Sequence, residues 1–258
     1  MALLAANDWF GRVFHTRSRL QDYLISKTGM SQQSITANER LNAQVSSLQL
    51  IHFQVNGNAQ DSVELTLEHP SLTLLTGPSG SGKSRLLQGV SGLLPHRGRK
   101  LINGVAVQSN TLVSDVVYID QHPYCLSGTL RQNLLIARED ATDSEITVCL
   151  SLVGLDDFSD LDEWLGEGGR ILSGGELKRM GLARALLCQH PIVLIDEPFE
   201  ALDAENVEII ADVLNQMKDV KKLVVASHII PPNLRVDKQI SFKEKASDVV
   251  LNPSFGAG

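Results

Sequence analysis

Eight consecutive residues carry the strongest chemical signal in the chain: Gly77, Pro78, Ser79, Gly80, Ser81, Gly82, Lys83 and Ser84. The glycines at 77, 80 and 82 let backbone amides converge on an anion with no side chains in the way. A helix opening at Lys83 adds the positive end of its dipole. Lys83 offers a mobile cation to the β- and γ-phosphates of a nucleotide, and the Ser84 hydroxyl is a hard oxygen ligand suited to Mg2+. The run matches the pattern G-x-x-x-x-G-K-S/T. It follows the apolar stretch Leu72–Leu75 and precedes the helical stripe Leu86, Leu87, Val90, Leu93 and Leu94. Strand, glycine-rich loop and helix form the setting in which that pattern holds a nucleoside triphosphate. The loop alone does not say which machine uses it.

Two further segments add chemistry. The apolar run Ile192–Ile195 delivers Asp196 and Glu197 at its end, where open parallel sheets bind ligands. Asp196 is placed to hold Mg2+ through water, and Glu197 to polarise an attacking water as general base. Taken alone, the segment also reads as a solvated acidic turn. Leu172, Ser173, Gly174, Gly175 and Glu176 open another helix. Ser173 with Glu176 three residues on is a capping box, and the two glycines let this second helix start approach an anion closely. One monomer cannot bring two distant helix starts to one triphosphate. A two-fold dimer can, with each nucleotide between the phosphate loop of one copy and the Ser173 turn of the other.

These segments, in this order, resemble the ABC ATPase family over about residues 47 to 245. Gln121, after the run Val116–Ile119, resembles the glutamine that senses Mg2+ and the attacking water. Glu200, Ala201, Leu202 and Asp203 resemble the D-loop that crosses the dimer interface, and His228 resembles the switch histidine that contacts the γ-phosphate. The resemblance implies a catalytic set of Glu197, His228, Gln121 and Lys83. It implies a nucleotide cradle running from Gly77 to Ser84 and on to Arg85, completed by Ser173, Gly174, Gly175, Glu176 and Asp203. Ser84, Gln121 and Asp196 are the implied metal set, with ATP and Mg2+ as cofactors. Tyr124–Leu134 and Trp164–Arg170 resemble the exporter branch, where Glu167 would meet the coupling helices of a membrane domain. Trp164 on its own also reads as a core aromatic. Residues 9–24 and Trp164–Leu187, with Glu176 where many relatives carry glutamine, are similar to CydC-type subunits of heterodimeric small-thiol exporters tied to cytochrome bd assembly. Val55 departs from the family, which usually places an aromatic there to stack on adenine, so weak adenine selectivity is expected; Phe53 is expected to pack inward. Arg85 replaces a common threonine. Asp237–Phe242 looks like the start of the terminal strands, and residues 252–258 do not continue that pattern.

The elements that must position these residues are legible as patterns. Leu48–Val55 and Ser62–Leu67 alternate apolar and polar residues around Asn56, Gly57 and Asn58, which predicts an antiparallel hairpin. The short apolar runs Leu72–Leu75, Val116–Ile119, Ile192–Ile195 and Leu223–Ala226 suit parallel strands covered on both faces. Thr142 with Glu145 caps one helix, whose face is Ile146, Cys149, Leu150 and Val153. Asp203 caps another, with the stripe Val207, Ile210, Leu214 and Met217. The predicted fold is α/β: a phosphate-loop ATPase domain (residues 47–258) with a mostly parallel core sheet, an antiparallel β subdomain and a helical subdomain over about 123–172. Residues 1–46 read as a helix plus linker, with residues 9–24 resembling the end of a last membrane helix. A net charge of −7 argues against a general nucleic-acid binder. Cys125, Cys149 and Cys188 show no paired spacing and read as reduced structural thiols. No apolar run approaches the roughly 18–20 residues of a membrane helix. The partners that the resemblance implies are a second ABC ATPase domain, identical or different, and the transmembrane domain of an exporter, on another chain or cut away from this one, with the chain on the cytoplasmic side of the inner membrane. The alternatives are a non-transport ABC ATPase and a non-hydrolysing ATP-binding subunit.

Overall fold

Two kinds of hydrophobic pattern build two kinds of sheet. A computed structural model describes residues 47–56, 62–109 and 116–243. The expected N-terminal helix and linker, the turn at Gly57 and Asn58, and residues 252–258 lie outside the described residues. Alternating strands form a four-stranded antiparallel sheet from β1 (Leu48–Val55), β2 (Val63–Leu67), β4 (His96–Ile102) and β5 (Val105–Val107), in the order β2-β1-β4-β5. Its buried face carries Leu48, Leu50, Phe53 and Val55 from β1. That spacing breaks strict alternation, and a β-bulge between Leu50 and Phe53 absorbs the slip so that Phe53 still faces inward. His52 sits in the bulge at φ 47, and Gly98 crosses it at φ 80.

The continuous apolar runs form a second, all-parallel sheet from β3 (Ser71–Thr76), β6 (Val116–Ile119), β9 (Ile192–Asp196), β10 (Lys222–Ala226) and β11 (Lys238–Ser241). Its order is β11-β3-β10-β9-β6. Strands β9 and β10 are buried along their whole length. Helix α1 (Lys83–Ser91) packs on β6, β9 and β10 and also meets β1. Helices α4 (Gly174–Leu187) and α5 (Ala204–Met217) contribute to the largest apolar core with Val193, Ile195, Leu223 and Val225. Two shorter helices, α2 (Leu130–Leu135) and α3 (Asp143–Leu152), pack against α4, and the two-residue strands β7 (Gly128–Thr129) and β8 (Trp164–Leu165) pair beside them. Thr142, Ser173 and Asp203 all cap helices through their side chains, as their spacing predicts. Among the described residues no helix is long and apolar enough to cross a membrane.

Register fixes what this sheet presents. Leu75 pairs with Ala226, Ala226 with Asp196, and Ile195 with Ile119. The phosphate loop, the acidic pair, His228 and Gln121 therefore all leave the sheet at one edge. Two expectations need correction. The stripe after the phosphate loop ends early, because Gly92 caps α1 in the left-handed region and leaves Leu93 about half exposed. Trp164 is not a core aromatic; it is 48% exposed.

The bulge gives a stability test. A Cβ at Gly98 would lie 2.1 Å from the His52 carbonyl oxygen, whereas one at Gly104, also at positive φ, would meet nothing. In urea denaturation, Gly104→Ala is expected to cost about 1–2 kcal/mol from left-handed strain. Gly98→Ala is expected to cost about 2–5 kcal/mol, because a backbone oxygen cannot rotate away. Equal costs would contradict the crossing.

Candidate nucleotide-binding site

The glycine-rich loop is shaped by conformations that side chains resist. Gly77, Gly80 and Gly82 have φ of 143, 76 and 101. A Cβ at Gly77 would stand 2.6 Å from the Phe242 backbone oxygen. Gly82 is the N-cap of α1 and supplies no side-chain bond, so the first amides of that helix have no side-chain partner. Lys83 lies back along the loop, its Nζ donating to Gly77 O at 2.9 Å and Pro78 O at 3.2 Å. The Ser81 hydroxyl is buried and has no hydrogen-bond partner among the described residues. A cradle of open amides, a cation and an orphaned hydroxyl fits a polyphosphate.

The acidic pair lies directly across from this loop. The Ser84 hydroxyl donates to Asp196 Oδ1 at 3.0 Å, and the Tyr118 hydroxyl donates to Asp196 Oδ2 at 3.2 Å. Burial pushes the Asp196 carboxyl above its ordinary range, and the two hydroxyls offset only part of that rise. Glu197 is held at φ 44 by its N–H donating to Ala226 O at 2.8 Å. Its Oε1 lies 3.4 Å from Lys83 Nζ, and its Oε2 lies 2.8 Å from His228 Nδ1. The structure thus brings Lys83, Glu197 and His228 together and pairs Ser84 with Asp196. A hydroxyl and a carboxylate side by side are the hard-oxygen set that suits Mg2+. Gln121 is elsewhere: its Nε2 donates to Glu200 Oε2 at 2.6 Å. That bond holds the Glu200 carboxyl below its ordinary range. Arg85 also turns away from the loop, donating to Asn56 O at 2.6 Å. Val55 is buried where α1 comes closest: a Cβ on Gly89 would lie 2.5 Å from it.

The second helix start is at the surface. Ser173 and Gly174 are exposed, and nothing stands within 4 Å of a Cβ built on Gly174. Ser173 accepts from Glu176 N, and Glu176 Oε2 accepts from Ser173 N at 2.7 Å. Burial pushes the Glu176 carboxyl up, but these bonds and the Arg170 guanidinium, 2.5 Å from Oε1, leave it below its ordinary range. Asp203 spends its carboxylate on Asn206 as the cap of α5. Sequence reasoning missed Tyr118, Lys178 and the side chain of Glu200. The available signals were a phenol in an apolar strand and a lysine on the buried face of α4.

The family model for ABC transporters matches residues 60–200 of this chain, more than half of it. The chain belongs to the ABC transporter family. Its described part is that family's ATPase domain. The chain is 37% identical over 179 residues to the mycobactin import ATP-binding/permease protein IrtB of Mycolicibacterium thermoresistibile, covering 65% of this chain and 31% of that one. It is 34% identical over 197 residues to the glutathione/L-cysteine transport system ATP-binding/permease protein CydC of Escherichia coli, covering 74% and 34%. A bacterial Atm1-family ABC exporter solved with ATP bound shares the fold, with TM-score 0.67, 23% identity, and coverage of 76% of this chain and 37% of that one. The chain spans about a third of the length of these ABC proteins.

The buried charge of this ABC domain yields a pH test. A carboxyl raised on folding, as at Asp196, holds its proton more tightly when folded. Its stabilising contribution is full below the ordinary carboxylate pKa and is lost as pH rises through the raised value. Ionised Asp196 therefore destabilises the nucleotide-free domain at neutral pH. Asp196→Asn is expected to raise Tm at pH 7, with the gain shrinking as pH falls toward about 4. A pH-independent gain would contradict this account.

Proposed function

We propose that this chain hydrolyses ATP as one half of a dimer that powers a membrane transporter. The supporting observation is convergence: Lys83, Glu197 and His228 meet at the sheet edge beside the Ser84–Asp196 pair, while the Ser173 turn faces outward. In this reading a triphosphate enters the amide cradle, and Lys83 exchanges its loop carbonyls and Glu197 for phosphate oxygens. That exchange frees one oxygen of Glu197 to take a proton from water, with His228 keeping hold of the other. Ser84 and Asp196 would hold Mg2+, which when bound supplies charge neutralisation at the phosphates. Gln121 would leave Glu200 to join that side of the site. The exposed Ser173 turn supplies the second helix start to a partner's nucleotide, and Asp203, which caps α5, would lie on a separate loop at the dimer interface.

We infer a transmembrane partner, a cytoplasmic-face location and an exporter role from the likeness to CydC and to the Atm1-family exporter. We infer a small thiol, cysteine or glutathione, as cargo on the likeness to CydC. IrtB, named for mycobactin import, is similarly related, so cargo and direction belong to membrane helices rather than to these residues.

Two measurements test the reading. Glu197→Gln is expected to lower ATP turnover by about 10²–10⁴-fold, the range of a lost general base, while ATP and Mg2+ hold the variant as a dimer in size-exclusion chromatography. Unchanged turnover would remove Glu197 from the role. Because Val55 leaves no aromatic face for the base, Kd values for ATP and GTP are expected to be comparable in titration calorimetry. A strong ATP preference would show that another group reads adenine.

A further inference from the structure

Among the described residues, one buried cation touches the turn that carries Glu197 and has no role in the hydrolytic reading. Lys178 lies on α4, one turn beyond the Ser173 cap, and its side chain is about nine-tenths buried. Its Nζ donates to Glu197 O at 3.0 Å and to Glu200 O at 2.7 Å, and lies 3.8 Å from the Glu200 carboxylate. The two accepting carbonyls bracket an unusual turn. Glu197 at φ 44 and Ala201 at φ 56 are both left-handed without being glycine, a conformation that persists only where the surroundings impose it. Glu197 is gripped on both sides: β10 takes its N–H through Ala226 O, and Lys178 takes its C=O. Its carboxylate then reaches Lys83 and His228. The grip extends outward, because the carboxylate facing Lys178 is the one that accepts from Gln121.

We propose that Lys178 is a positioning residue for ATP hydrolysis, clamping the turn that carries Glu197 so that displacement of the Ser173 helix start by a partner's nucleotide is passed to the Glu197 carboxylate. This rests on the hydrolytic reading above. A lysine suits the task because one ammonium carries three donors and can satisfy both carbonyls while facing a carboxylate. Burial pulls the amine below its ordinary value, and Glu200, Glu197 and Asp196 offset part of that. A surface residue would not couple the elements, since water would compete for both carbonyls. A neutral apolar residue would fill the space, leave the Glu200 carbonyl unpaired and leave Glu197 O only the long bond from Glu200 N. The cavity of about 220 Å³ between Gln121, Gly174, Lys178 and Glu200 leaves room for α4 and this turn to shift against each other.

The test uses the full chain with its membrane partner and three variants. Lys178→Met keeps length and loses the donors. It is expected to lower kcat by about 10–100-fold, the effect of a small misplacement of a reacting group, while KM for ATP and ATP-driven dimerisation persist. Lys178→Gln restores neutral donors and is expected to recover most of that loss. Wild-type kcat in Lys178→Met overturns the proposal. So does joint loss of kcat and ATP binding in both variants, which would make Lys178 a packing residue. Amide hydrogen exchange across Glu197–Ala201 is read alongside, with faster exchange expected in Lys178→Met and not in Lys178→Gln; unchanged exchange in Lys178→Met also overturns the clamp. Glu197→Gln separates the two ideas. If it abolishes turnover and Lys178→Met does not, only the clamp fails. If it changes nothing, the hydrolytic reading fails first.

Discussion

Parallel pairing at the sheet edge is the constraint from which the site follows. Leu75, Ala226 and Asp196 sit level, and Ile195 and Ile119 sit level one residue earlier, because β3, β10, β9 and β6 are locked in register. A one-residue slip in any of these strands would reverse its side chains and shift its exit loop. The strands resist slipping because both faces of β9 and β10 are buried. The apolar runs thus position chemistry they never touch. Lys83 precedes Glu197 and His228 by more than 100 residues in sequence, and the three meet only because these strands end together, while Gln121 leaves the same end and pairs with Glu200.

The site is also an electrostatic compromise. Asp196 and Glu197 are consecutive, largely buried acids, and β9 delivers both to the same few ångströms. Buried carboxylates need donors or cations. Ser84 and Tyr118 serve Asp196, Lys83 and His228 serve Glu197, and Lys178 serves the backbone around them. Most of these partners are the groups that a triphosphate and a divalent cation would recruit. On the proposed function, the ligand-free arrangement is therefore self-satisfied, and binding would exchange partners rather than create charge.

The sequence made the backbone scaffold plain because each element carries a local signal. Alternation marks β1 and β2, apolar runs mark the parallel strands, and side-chain oxygens at Thr142, Ser173 and Asp203 mark helix starts. The main overreach was also local: the leucine stripe hid the stop that Gly92 imposes on α1. The residues Gly77 to Ser84 and the pair Asp196–Glu197 were legible because spacing alone carries their chemistry. Tyr118, Lys178 and the Gln121–Glu200 bond were not. Their importance lies in which buried atoms they face across distant segments, and no window of sequence contains that. Phe53 packs inward as its place in β1 predicts, yet the bulge that allows it has no signature beyond a broken alternation.

The two helix starts are not equivalent, and the difference bears on how a clamp can work. The start of α1 has no side-chain cap, so its amides await water or an anion. The start of α4 is partly satisfied: Ser173 and Glu176 cap each other's amides, Arg170 offsets the Glu176 charge, and the amides of Gly174 and Gly175 keep no side-chain cap. On the proposed function, the first start could bind an anion in a single copy, whereas the second is stable without one and would add its dipole, close approach and the amides of Gly174 and Gly175. If both grip one triphosphate, the phosphate loop must hold it first, since the capped end alone offers too few free donors to capture it. Association would then follow nucleotide binding rather than precede it. The cost of bringing two copies together would fall on the bound state, where a fixed anion gives the second helix start something to meet.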